Sequence, residues 1–206
     1  MSIAEKLKTV AENQQKVYDA GFAAGRSQGG DGWYDTFWDA YQANGTRYHW
    51  NAAFANQGWT NEIYEPKYPI SNIVYASDMF ARSQIRNTKQ ELDFTNLAAQ
   101  PTSVFDACRM LQVIQALKVN ENNTYANWFR YCEALSYIEF KGTVGNSLSF
   151  ADSPLLQHTC VLMLADALIT KADHVQRVLT LHPNVKAQLA ESQIAYITMQ
   201  KGWDLA

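Results

Sequence analysis

The side chains best suited to catalysis or metal binding are four histidines and three cysteines. The histidines are His49, His158, His174 and His182. No two of them have metal-ligand spacing with a cysteine or a carboxylate. His158 and Cys160 lie close together, but two residues apart on a predicted helix they point to different faces. We therefore expect no metal ion and no cofactor.

Carboxylates could support glycoside hydrolysis, and Glu62 with Glu65 is one conceivable pair. That reaction needs one carboxyl group with a raised pKa at a defined distance from its partner. Nothing in the sequence indicates either property. The chain also lacks the Gly-x-Ser-x-Gly motif of nucleophilic hydrolases. We therefore expect no catalytic residue and no enzymatic activity.

Composition and charge narrow the remaining classes of function. The chain has 206 residues, of which 47% are hydrophobic and 18% charged, as in an ordinary globular protein. A net charge of -3 without a basic run gives no reason to expect nucleic-acid binding. No stretch is apolar enough for membrane insertion, and a charged amphipathic segment follows Met1 instead of a signal peptide. We expect synthesis in the cytoplasm.

A sequence repeat predicts the fold. Phe, Cys, Leu and Ile occur in this order, three residues apart, from Phe105 and again 24 residues later from Phe129. Phe80 and Phe54 mark looser copies upstream. The predicted repeat core is Phe54, Phe80, Phe105, Cys108, Leu111, Ile114, Phe129, Cys132, Leu135 and Ile138. A period of 20 to 29 residues with fixed apolar positions is typical of a leucine-rich-repeat solenoid, in which neighbouring units share one core. We therefore predict an α/β repeat fold with short strands near 111–119, 135–140 and 148–150.

The first 28 residues are predicted to form one helix. A heptad seam runs along it through Ile3, Leu7, Val10, Gln14 and Val17. Two interpretations stay open: a helix docked on its own domain, or a short coiled coil that makes the protein a homo-oligomer. Either way, the seam is a candidate oligomerisation or docking segment.

Four segments follow from these patterns. Residues 1–30 form the N-terminal helix, 31–72 an aromatic N-terminal cap, 73–152 the repeats and 153–206 a helical C-terminal cap. Ser153 and Pro154 are a strong helix start, because an N-cap residue precedes a proline at the first helical position. A strand is predicted over 177–181 and helix over 183–201.

The Phe-x-x-Cys-x-x-Leu-x-x-Ile units resemble the BspA-type leucine-rich repeats found in gut bacteria and their phages. Segments 1–7, 16–21, 37–45, 142–155 and 201–203 resemble proteins encoded by phages and prophages of gut Firmicutes. The resemblance spans almost the whole chain, although Ser83 stands where a repeat cysteine is expected. It implies a short repeat domain within a virion or tail-region protein, and it implies no activity.

The sequence therefore predicts a non-enzymatic phage virion protein, associated with the tail or capsid. Its repeat surface would bind a virion subunit or a host-surface protein, with a host-surface glycan as a further partner. The alternative is a phage-encoded protein that acts inside the host and inhibits a defence protein. Both need only a shaped surface, so the sequence does not separate them.

Overall fold

The computed structural model describes residues 54–55, 63–64, 73–170 and 175–206. The strands are β1 (Ile63–Tyr64), β2 (Asn87–Asp93), β3 (Val113–Val119), β4 (Tyr137–Gly142), β5 (Leu148–Phe150), β6 (Val178–Leu181) and β7 (Asp204–Leu205). The α-helices are α1 (His158–Ala167), α2 (Pro183–Lys186) and α3 (Glu191–Ala195), and a π-helix, Tyr196–Gln200, follows α3 directly. The predicted seam Ile3, Leu7, Val10, Gln14 and Val17 lies outside the described residues.

The strands form two small parallel sheets. The first has the order β1-β2-β3-β4, and the second has the order β5-β6-β7. In the first sheet Thr88 pairs with Ile114, and Ile114 pairs with Ile138. Equivalent positions of the sequence repeat therefore lie side by side, and the buried faces of these strands join one core.

The predicted fold class, a leucine-rich-repeat solenoid with a helical C-terminal cap, is wrong. The described residues form two separate small sheets and three short α-helices instead of one continuous solenoid. The period of the sequence breaks after Phe129, because the next stacked phenylalanine, Phe150, comes only 21 residues later. The region predicted as a helical cap also contains β6 and β7.

Helix α1 begins where a further strand would extend the first sheet. The backbone N–H of Ser136 donates to Gln112 O at 2.9 Å, and that of Gln157 donates to Ser136 O at 3.0 Å. Strand β3 follows Gln112 and strand β4 follows Ser136, whereas helix α1 follows Gln157. Leu, Met and Ala dominate α1, and these residues favour helix over strand. The helix predicted to begin at Ser153 therefore begins at His158.

A column of stacked phenylalanine rings runs through the core. Phe80 stacks on Phe54 with ring centroids 5.1 Å apart and on Phe105 at 5.2 Å. Phe129 stacks on Phe105 at 5.9 Å and on Phe150 at 4.8 Å. All five rings are buried, so the column fixes the spacing between successive turns of the chain.

Candidate binding surface

The turns around Phe80, Phe105 and Phe129 share the same backbone geometry. The residues two before and two after the ring have positive φ values between 55° and 58°: Asp78 and Arg82, Ser103 and Ala107, Asn127 and Tyr131. The left-handed region costs a non-glycine residue about 1–2 kcal/mol, and Asp and Asn tolerate it best. Arg82 and Tyr131 hold this conformation because the surrounding turn fixes it.

Backbone hydrogen bonds between neighbouring turns supply that restraint. In the middle turn, Ser103 N–H donates to Ala126 O at 2.9 Å, and Phe105 N–H donates to Trp128 O at 3.0 Å. Ala107 N–H donates to Arg130 O at 2.7 Å. The turns therefore stack in register, and their outward side chains keep fixed positions.

An ion pair joins the side chains of two neighbouring turns. Asp106 and Arg130 each follow a column phenylalanine directly. Arg130 donates from Nε to Asp106 Oδ1 at 2.7 Å and from Nη2 to Oδ2 at 2.9 Å. The Asp106 side chain is only 3% exposed, and Arg82 approaches the same carboxylate at 3.9 Å. Asp106 thus holds one arginine firmly and a second loosely.

Tyr131 lies beside this pair with its ring partly exposed. The guanidinium carbons of Arg130 and Arg109 lie 5.4 Å and 6.0 Å from the ring centroid, within cation–π range. The backbone N–H of Tyr131 donates to Asp152 Oδ2 at 3.0 Å. Arg109 also lies 3.7 Å from Glu133.

These contacts join seven residues into one surface, here called the arginine–tyrosine ridge. Its members are Arg82, Asp106, Arg109, Arg130, Tyr131, Glu133 and Asp152. Two exposed apolar side chains neighbour these residues in sequence: Met110 follows Arg109, and Leu155 lies three residues after Asp152. Tyr, Arg and Met are enriched at protein interfaces. The ridge therefore has the composition of a protein-binding surface.

The outer face of the first sheet has a different character, because its charges pair with one another. Lys118 Nζ lies 2.8 Å from Asp93 Oδ2, and Lys141 Nζ lies 3.2 Å from Glu91 Oε2. Partial burial alone would raise the pKa of Asp93, but hydrogen bonds from Lys118 and Thr95 bring it below its ordinary value. The same pairing raises the pKa of Lys118. Lys118, Asp93, Lys141 and Glu91 are therefore paired within the chain.

The predicted repeat-core residues all lie in the buried interior. Cys108 Sγ donates to Phe80 O at 2.9 Å, and Cys132 Sγ donates to Phe105 O at 3.2 Å. Burial raises the pKa of the Cys108 thiol to about 12. Ser83 occupies the equivalent position one turn earlier, 3.7 Å from Cys108 Sγ. These side chains hold the turns together and are inaccessible to a ligand.

Other features of the described residues offer less for binding or chemistry. An open depression of about 420 Å³ lies at the start of α1, lined by residues 154–159 and Gln188. No group of three metal-ligating side chains occurs in the described part of the chain. None of the helices described there has the length and apolar character that crossing a membrane needs.

Sequence reasoning missed the ridge. One signal could have found it: Asp106 and Arg130 are oppositely charged and lie one period apart, each directly after a repeat phenylalanine. In stacked turns such positions become neighbours. The roles of Tyr131 and Asp152 depend on contacts that the sequence does not indicate.

Comparison with protein-family models, with curated proteins and with solved structures finds no match for this chain.

Proposed function

We propose that this protein is a non-enzymatic structural component of a phage virion, associated with the tail or capsid. It binds a virion subunit or a host-surface protein through the arginine–tyrosine ridge. The observation that carries this proposal is the ridge itself, with exposed arginines and an exposed tyrosine on stacked turns.

Preorganisation supports a binding role. Binding normally costs about 0.5–1.5 kcal/mol for each side chain that it immobilises. In the ridge, Asp106 already holds Arg130, and Asp152 holds the Tyr131 backbone. Part of that ordering has therefore occurred during folding, and more of the contact energy remains for the partner.

The ridge suits a partner better than the outer face of the first sheet. Asp93 and Glu91 on that face neutralise Lys118 and Lys141 within the chain. On the ridge, the exposed Arg109 is followed in the sequence by Met110, whose side chain is partly exposed. A partner can therefore contact Arg109 and Met110 while the Asp106–Arg130 pair stays intact.

The virion assignment draws its support from the resemblance to phage-encoded proteins. That resemblance covers segments at both ends of the chain, including 1–7 and 201–203. The predicted seam through Leu7 and Val10 would supply the multiple copies that a symmetrical particle requires. Several copies would also multiply a weak contact into strong attachment.

Quantitative mass spectrometry of purified phage particles tests this proposal. The particles are induced from a lysogen that carries the gene, and the induced cell lysate is measured in parallel. We expect the protein in the particles at a copy number that matches tail or capsid symmetry. Abundant protein in the lysate with none in the particles would refute the virion role and favour a binder that acts inside the host.

A further inference from the structure

We infer that the ridge recognises carboxylate side chains on a partner protein. This inference rests on the proposed binding function and adds the chemistry of the partner. The structural basis is an imbalance between donors and acceptors on the ridge.

The acceptors of the ridge are largely engaged inside the chain. Both carboxylate oxygens of Asp106 accept hydrogen bonds from Arg130, and Asp106 is almost fully buried. Asp152 Oδ2 accepts from the backbone N–H of Tyr131. Glu133 is 54% exposed, so the ridge offers a partner one exposed carboxylate against the two exposed guanidiniums of Arg82 and Arg109.

The donors of the ridge remain available. Arg82 is 59% exposed, and its contact with Asp106 spans 3.9 Å. Arg109 is 64% exposed, and its contact with Glu133 spans 3.7 Å between two exposed side chains. An exposed pair such as Arg109–Glu133 is weak, and 3.9 Å is too long for a hydrogen bond between Arg82 and Asp106. A guanidinium has five donors in a planar fork that fits a carboxylate with two parallel hydrogen bonds.

The apolar surroundings favour a protein as the source of the carboxylates. Met110 and the Tyr131 ring are partly exposed, and Leu155 is 61% exposed. A partner side chain such as Leu or Phe can bury against the Tyr131 ring while a neighbouring Asp or Glu meets Arg109, which lies 6.0 Å from that ring. An acidic glycan would provide carboxylates without that apolar contact.

Zero-length cross-linking in purified particles tests the inference. The variant Arg109→Lys keeps the positive charge and provides an amine that a carbodiimide joins to a carboxylate in contact with it. Mass spectrometry then identifies the joined peptides. We expect an amide between the introduced lysine and an Asp or Glu of another virion protein.

The competing outcomes have separate meanings. A link only to Glu133 of the same chain, or no link, would overturn the inference that the partner supplies a carboxylate. The proposed virion function would still stand if the protein is present in the particles. A link to a uronic acid would overturn the protein source. Absence of the wild-type protein from particles would refute the virion role and this inference together.

Two double variants that each remove two positive charges provide an independent test, measured as incorporation into particles. Hydrogen bonds to charged groups contribute about tenfold each in affinity. The double variant Arg82→Gln, Arg109→Gln should therefore bind about a hundredfold more weakly, and we expect it in particles at about a tenth of the wild-type level or less. The control is Lys118→Gln, Lys141→Gln, which removes two charges from the sheet face and should enter normally. Equal incorporation of the two double variants would contradict the inference.

Discussion

Replacing Phe105 by leucine should destabilise the protein by breaking the phenylalanine column at its centre. The ring stacks on Phe80 at an interplanar angle of 2° and on Phe129 at 10°. Each aromatic pair contributes about 0.5–1.5 kcal/mol beyond its buried area. With two pairs lost, we expect the free energy of unfolding to fall by about 1–3 kcal/mol. Leucine stays apolar and fills much of the space, so the cavity term of an alanine variant is largely avoided.

Double-mutant cycles separate stacking from simple loss of volume. Phe80 and Phe105 are in contact, so the pair Phe80→Leu, Phe105→Leu should show a coupling of about 0.5–1.5 kcal/mol. Phe105 lies between Phe80 and Phe129 in the column. The losses of unfolding free energy in Phe80→Leu and Phe129→Leu should therefore add within about 0.5 kcal/mol in the double variant. Urea unfolding followed by circular dichroism measures both, provided that the m-value is unchanged. Equal coupling in the two cycles would refute the column as a chain of pairwise contacts.

Three further predictions follow from individual side chains. Asp93→Asn should lower the free energy of unfolding near neutral pH but not in acid. The lowered pKa of Asp93 gives a stabilisation that is complete above the ordinary value of 3.8 and is lost as the pH falls through the pKa of the folded state. A deficit that is constant from pH 7 to pH 3 in urea titrations would contradict this. The three cysteines are buried and the pKa of Cys108 is about 12, so iodoacetamide at pH 8 should label them only after unfolding; rapid labelling of native protein, measured by mass, would show otherwise. Gly142→Ala should reduce the free energy of unfolding by about 1–3 kcal/mol, because φ is 99° and the new Cβ would clash with Val119 O. A variant whose midpoint of thermal unfolding equals that of the wild type would contradict this.

The repeat in the sequence predicted local structure better than it predicted the fold. Strands were expected near 111–119 and 135–140, and β3 and β4 occupy Val113–Val119 and Tyr137–Gly142. Buried and partly exposed residues alternate at the start of β4, as one buried face requires, whereas Ala116 and Leu117 of β3 are both buried where the pairing with β4 shifts register. The fold class was wrong because the same pattern does not fix how many turns continue the sheet.

The change from strand to helix after Gln157 shows why. Its backbone makes the same hydrogen bond to the preceding turn as Ser136 does, yet α1 follows instead of a strand. Helix propensity over 158–167 decides the local outcome, and the chain then builds a second sheet from β5, β6 and β7. The helix itself was predicted, but its start at Ser153 and Pro154 was placed five residues before His158, where the helix begins.

The candidate site was largely beyond sequence reasoning. The predicted seam lies outside the described residues, and the repeat core is buried structure. The ridge depends on Asp106 meeting Arg130 between neighbouring turns and on Tyr131 lying within cation–π range of two guanidiniums. Such neighbours emerge only once the register between turns is known.

Site-specific photo-cross-linking in phage particles tests the central claim most directly. A benzophenone amino acid replaces Tyr131 on the ridge or, as the matched control, Tyr137 on β4 in the first sheet. The account predicts a single discrete adduct with another virion or host-surface protein from position 131 and none from position 137. No adduct from position 131, or the same adduct from both positions, would contradict a binding role for the arginine–tyrosine ridge.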